Sequence, residues 1–463
     1  MPLKEKIQFI LNKINSHKAY LEHNYTILDI YNGNLKPYVD EILKNTLSES
    51  YYNQIKSRMV LINVLKRITQ KVSKSYIKPP KRIVSDDRFL PDVEAYVTET
   101  GFNAVMQKSD SYLNLFKGYA LEPYIIDGLP RIRVLPFDRF LPISESKIDP
   151  TKVTIFVKFM GKRSFKKAKG TVFLDVFHVY SETEFLSFNS EGEIIEEDME
   201  ENQGINPYGI IPVFYGFRSN DEIIPTQDTD TLALTKLIPV MLTDLAGAVM
   251  FQCFSVIYGI DIDPQNLKMS PNAFWLLKSD ARSDKQPQIG TIKPEADVDK
   301  VIKYITDIFS LWLETRGIRI GSVGSLNSTN FASGISKLID EIDASDLIQQ
   351  QQLNFVSDEQ DFWTIFGKIQ NYWVTTNQLF AFKHRSGLWP EDLLVTPIFE
   401  KPVPLVDRRT QVETTKLEVD SGFLPRKEAI KQLYPDLTEE IIETWLKQIE
   451  APIEISDGEM AEV

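Results

Sequence analysis

The chain has 463 residues, 43% hydrophobic and 25% charged, with a formal net charge of −13 and one cysteine, Cys253. Such a length and balance exclude wholesale disorder and predict two to four structural units with buried cores. A lone cysteine excludes an intramolecular disulfide and fits a reducing compartment, while the acid excess disfavours tight nucleic-acid binding but suits a body that touches DNA without holding it.

The first residues, Met1 to Lys6, lack the apolar run of a secretory signal. Up to Lys78 the pattern is helical. Over residues 51–76, Ile55, Met59, Ile62, Leu65, Ile68 and Val72 recur at spacings of three and four, predicting one amphipathic helix that Pro79 and Pro80 stop. The middle then changes to β texture, with strands predicted at 119–134, 153–159, 172–180, 184–188 and 193–195, joined by tight turns. It ends on Asn206-Pro207-Tyr208-Gly209-Ile210-Ile211-Pro212-Val213, a turn leading into a short strand.

From Asp228 to Ser255 the pattern is helical but not one-sided. Leu237, Ile238, Val240, Met241, Leu242, Leu245, Val249, Met250, Phe251 and Phe254 cover most of the circumference, so this helix must be buried on most sides. Pro239 either kinks it or marks its first turn. Residues 245–260 carry no charge, but the stretch is short for a membrane span and Asp244, Asp261 and Asp263 close it in, so no membrane is expected. Loop and strand follow, with one strand-like core at 273–277. An amphipathic helix is predicted over 298–316, with Val298, Val301, Ile302, Ile305, Ile308, Phe309 and Trp312 on one face and Gly317 at its end. Residues 319–330 hold Gly321, Gly324 and three serines without an acid, the composition of a loop. A long helical pattern starts at Ile335, Leu338, Ile339 and Ile342 and continues through Phe362, Phe366, Ile369 and Trp373 to a stop at Pro390. Three short helices and an acidic tail, 450–463, close the chain.

Catalytic patterns are sparse. His17, His23, His178 and His384 show no metal-ligand spacing, and one cysteine leaves little room for structural zinc, so no cofactor is expected. There is no G-x-S-x-G elbow, and Gly321-Ser322-Val323-Gly324-Ser325 lacks the spacing and lysine of a phosphate loop. Two charge clusters stand out: Lys162, Arg163, Lys166, Lys167 and Lys169, then Glu191, Glu193, Glu196, Glu197, Asp198, Glu200 and Glu201. The acids could serve acid–base chemistry, and the lysines DNA or a neighbour, but solvated turns are the plainer reading of both.

The succession of parts resembles the portal proteins of tailed double-stranded DNA phages. The resemblance rests on Gly128-Leu129-Pro130-Arg131-Ile132-Arg133-Val134-Leu135-Pro136, the Asn206 to Val213 turn, two helices flanking a compact excursion, and Ser333-Gly334-Ile335-Ser336-Lys337-Leu338. It extends to the end through Pro425-Arg426-Lys427-Glu428-Ala429 and Tyr434-Pro435-Asp436-Leu437-Thr438-Glu439-Glu440. It implies an α+β portal fold: a wing over 1–225 and 333–404, stem helices over 226–256 and 298–318, and a clip over 257–297. A tunnel loop would span 319–332, a small crown 405–450 and a disordered acidic tail 451–463.

The resemblance further implies a ring, typically of twelve copies, at one capsid vertex, through which DNA is packaged and later ejected. Its stem would present Leu237, Met241, Leu245, Val249, Phe251, Phe254, Ile305, Phe309 and Trp312 to neighbours. Arg316, Arg319, Ser322, Ser325, Asn327, Asn330 and Lys337 would line the tunnel loop and channel, and Phe274, Trp275 and Lys278 the clip. Implied partners are the terminase large subunit, a head-completion or adaptor protein, major capsid and scaffolding proteins, and duplex DNA bound without sequence preference. The locations implied are the virion and, during assembly, the host cytoplasm. The rival readings are another virion protein, such as a tail or baseplate component, and a carboxylate-based hydrolase.

Overall fold

The computed structural model describes residues 2–167, 170–199, 203–219, 221–253, 256–260, 288–292, 298–316, 319–320, 342–383, 387–400, 408–434, 437 and 439–450. The fold is α+β and divides into two units, residues 1–400 and 401–463.

The first unit opens with helices α1 (Leu3–Ser16), α2 (Lys18–Tyr31), α3 (Lys36–Thr46), α4 (Glu49–Ile55) and α5 (Val64–Val72). The single helix expected over 51–76 is therefore two. Asn63 ends the break by capping α5, its side chain accepting from Lys66 N, while Val60 N donates to Thr243 Oγ1 far along the chain. These side-chain bonds compete with a continuous helical ladder, and periodicity alone could not register them.

Strand β1 (Lys81–Val84) precedes α6 (Leu90–Thr100) and α7 (Phe102–Phe116). Next come β2 (Gly118–Ile126) and β3 (Leu129–Leu135), joined by Asp127 and Gly128, both at positive φ as a tight hairpin requires. Gly128 admits no substitute: a Cβ there would lie 2.8 Å from the Phe380 ring. β4 (Phe140–Ile143), β5 (Ile155–Lys167), β6 (Gly170–Tyr180) and β7 (Phe185–Asn189) form a four-stranded antiparallel meander, and β8 (Phe214–Phe217) joins the other edge of β2. The strand expected at 193–195 is only a single bridge, Phe188 to Ile194. In the turn before β8, Asn206 Nδ2 donates to the carbonyls of Ser181 and Ile210 while its Oδ1 accepts from Tyr208 N.

Helix α8 (Thr229–Cys253) contains Pro239 ten residues after its first residue, so the proline is internal. β9 (Val256–Ile260) pairs with β10 (Gln288–Ile292), then α9 (Val298–Thr315) follows. The short β11 (Arg319–Ile320) pairs antiparallel with β12 (Ile342–Asp343). The helical pattern expected from Ile335 is broken at Ile342, which is in a strand, and helix α10 (Ser345–Thr375) follows; residues 335–341 lie outside the described residues. β13 (Val395–Ile398) returns to pair with β1. The strand expected at 273–277 lies outside the described residues. Among the described residues the second unit holds three helices, α11 (Arg408–Asp420), α12 (Arg426–Leu433) and α13 (Glu439–Glu450), near the expected positions.

α10 runs through the largest core. Its Phe355, Phe362, Trp363, Phe366 and Trp373 are fully buried, and rings from Tyr96, Phe102 and Trp389 pack on them at centroid distances of 4.9–5.8 Å. Between the aromatic turns lie two adjacent acids. Glu359 accepts from Arg82 Nε at 2.8 Å and Tyr76 Oη at 2.7 Å; Asp358 accepts from Arg218 Nη2 at 2.8 Å and Tyr119 Oη at 2.9 Å. Removing one partner of such a pair strands the other in low dielectric, so Glu359→Ala should cost about 3–5 kcal/mol in chemical unfolding.

A third buried acid gives a pH signature. Asp110 accepts from Ser75 N and Asn114 Nδ2, yet burial pushes its pKa up to about 6. With the folded value above the unfolded one, the folded state holds this proton more tightly. The contribution is greatest below the unfolded pKa, near 3.8, and declines as pH rises toward 6. The stability difference between the wild type and Asp110→Asn should change across that interval by about 3 kcal/mol and stay flat above pH 7.

Candidate functional site: the α8–α9 helix pair

The elements that the sequence singles out converge on α8 and α9. Leu234, Ile238 and Leu242 of α8 pack with Ile305, Phe309, Trp312 and Leu313 of α9 against Val64, Ile68 and Val72 of α5. On another side α8 meets the first helices: Lys236 Nζ lies 5.1 Å from the Tyr38 ring centroid, and a Cβ on Gly247 would come within 2.5 Å of Tyr51 Oη. The helix is apolar on most of its circumference because two different partners within the chain cover it.

One outward stripe remains. Ala233, Leu237, Met241, Asp244 and Ala248 follow each other at spacings of three and four, and none is fully buried. Leu237 is 44% exposed and Val249, beyond the stripe, 38%. On α9, Tyr304 is 57% and Leu311 63% exposed, seven residues apart and so on one face. Of the residues expected to meet a neighbour, Leu237 and Val249 are available and Met241 is half-buried. Ile305, Phe309 and Trp312 are buried in a core that this chain's own α5 completes, and Leu245 is buried as well. Phe251 lies on α8, but its side chain, like all of Phe254, lies outside the described residues. Neither Tyr304 nor Leu311 was singled out in the sequence. Both are large apolar residues outside the buried face of α9, the one signal that could have found them.

By length and composition Thr229–Val249 could cross a membrane, but half of that segment is buried inside the protein. A core helix has the same character.

The two helices are tied where α9 ends and α8 begins. Arg316 Nη2 contacts Asp228 Oδ2 at 2.5 Å, Thr231 Oγ1 at 2.6 Å and Asp230 Oδ1 at 3.2 Å, and its guanidinium stacks over Trp312, 4.7 Å from the centroid. Burial raises the Asp228 pKa, and a hydrogen bond to Asp230 adds to this. The same bond is the main cause of Asp230's lowered pKa. Arg316, a residue the resemblance assigns to the channel, is a clamp between helix ends. Beside it opens a cavity of 690 Å³, lined among others by Thr69, Asn114, Lys117, Arg218 and Gln351.

Arg319 lies on β11, where only its backbone is described. Ser322, Ser325, Asn327, Asn330 and Lys337 of the expected tunnel loop, and Phe274, Trp275 and Lys278 of the expected clip, lie outside the described residues.

The two charge clusters find each other. Lys167 contacts Glu191 and, at 3.1 Å, Glu193; Arg163 meets Asp198 at 2.9 Å. Asp198 also accepts from Ser187 Oγ at 2.7 Å and lies 3.1 Å from His178 Nε2. Burial opposes its ionisation, but Ser187, Arg163 and His178 together outweigh burial and hold its pKa below the ordinary carboxylate range. A carboxylate so engaged is ill suited to accept a substrate proton. Among the described residues, no group of three or more His, Cys, Asp and Glu could hold a metal ion.

The clamp is testable by itself. Arg316→Ala should speed amide exchange in the last turn of α9 and lower stability by about 1.5–3 kcal/mol, whereas Arg316→Lys, a point charge without the planar fork, should fall between.

No family model and no curated protein matches the chain. Among solved structures it is similar to a chain described as the neck of an empty GTA particle computed with C6 symmetry. That match has 12% identity and a TM-score of 0.41, and covers 80% of this chain and 90% of the other.

Proposed function

We propose that the chain is a portal-type subunit. Copies would assemble into a ring at one capsid vertex, forming the conduit through which duplex DNA enters and leaves and the dock for terminase and head-completion or tail proteins. One observation carries the reading: a helix pair packed against its own chain still exposes Leu237, Val249, Tyr304 and Leu311. Apolar surface in this quantity on paired helices marks an interaction site. A ring contact, head to tail and closed on itself, would cover it in every copy alike. The Arg316 clamp supports the same reading, since helices lining a conduit need a fixed mutual position. The net charge of −13 suits a wall that does not retain phosphates.

Particles of the purified protein, viewed by negative stain and weighed by native mass spectrometry, should be rings with a hole wide enough for a duplex. Leu311→Asp should abolish the rings and leave a folded monomer. Phe309→Ala, buried in the subunit core, should lower unfolding stability by about 3–5 kcal/mol. A stable wild-type monomer at high concentration excludes the proposal.

A further inference from the structure

The β5–β6 hairpin outgrows its sheet. β4 pairs with β5 only through Lys158, and β7 pairs with β6 only from Val176, so the distal part is a two-stranded arm. One side of this arm is neutralised by the acid cluster through Arg163 and Lys167. The register puts Ser164 opposite Phe173 and Lys166 opposite Thr171 on the other side. Phe173 is 67% exposed, and Lys166, its diagonal neighbour, is exposed as well. An unsupported aromatic beside a lysine on a projecting ribbon contributes nothing to this chain's own core.

At the root of the same hairpin is a groove of 440 Å³ between α1, α2 and the four-stranded sheet. Leu11, Ile14, Leu21, Tyr25, Phe159 and Phe177 give it apolar walls. Asp138 also lines it, with a side chain only 5% exposed. Asp138 Oδ1 has no hydrogen-bond partner among the described residues, and Oδ2 lies 3.6 Å from Arg139 Nε. Glu22 and Asp175 add acid at the rim, against Lys18 and Arg139. The groove therefore suits an apolar group accompanied by a cation, and the arm tip offers an aromatic ring accompanied by an ammonium.

We infer that the arm of one copy docks in this groove of a second copy, Phe173 filling the apolar walls and Lys166 meeting the Asp138 carboxyl. Tip and groove are different surfaces of one subunit, so the contact is head to tail and can repeat around a ring. The inference rests on the ring reading and assigns it a contact away from the α8–α9 pair.

The test mixes two single-site variants in a Cys253→Ser background, Phe173→Cys in one population and Tyr25→Cys in the other. Both replaced side chains are exposed, so folding should survive. Oxidation of the mixture should give a covalent dimer of one chain of each kind, absent from either variant alone. Phe173→Ser without oxidation should raise the concentration needed for half-assembly about tenfold or more. Rings by native mass spectrometry without the mixed dimer overturn the arm contact and leave the ring reading standing. A mixed dimer in closed pairs supports the arm contact and overturns the ring. Wild-type monomers with no cross-link overturn both.

Discussion

The first unit is organised around two consecutive carboxylates inside one helix. Asp358 and Glu359 are buried among aromatic side chains, where an uncompensated charge would be untenable. Each is therefore matched to an arginine and a tyrosine drawn from elsewhere: Arg82 on β1 with Tyr76 for Glu359, Arg218 after β8 with Tyr119 on β2 for Asp358. Segments separated from it by 140 to 283 residues thus have to meet at one turn of α10. Apolar burial alone would accept many alternative packings of these elements, whereas directional pairing of fixed partners accepts few.

The helix pair follows from the opposite logic. α8 has no charge that fixes its orientation along most of its length, and its position comes from shape, with α5 and α9 on one side and the N-terminal helices on another. Its main polar device is at its start, in Arg316 and the two aspartates, with Thr243 Oγ1 accepting from Val60 N further along. A core that needs no polar partners can leave an apolar stripe uncovered for a second copy, and the outward residues of α8 and α9 have that character.

Much of this was legible in the sequence. The all-round apolarity of α8, the one-sidedness of α9 and the hairpin texture between residues 118 and 189 follow from periodicity, which reports burial directly. What stayed hidden was carried by pairs distant in sequence. Lys167 and Glu191 read as separate solvated clusters because nothing local shows that β6 brings them together. Nor does anything local show the pairing of Arg316 with Asp228, which lies 88 positions earlier. Ile305, Phe309 and Trp312 were correctly marked as buried, but periodicity cannot tell whether the covering surface belongs to the same chain or to another.

The placing of Asp358 and Glu359 has a mechanical consequence. They are the fourteenth and fifteenth residues of a 31-residue helix roughly 46 Å long, so the anchorage is at mid-span and both ends extend about equally from it. Consecutive helical side chains diverge by about 100° around the axis. A single anchor would leave such a rod free to swivel, whereas two at that angle also fix its azimuth. A load applied at Ser345 would then be transmitted as a tilt about a fixed fulcrum rather than lost as rotation.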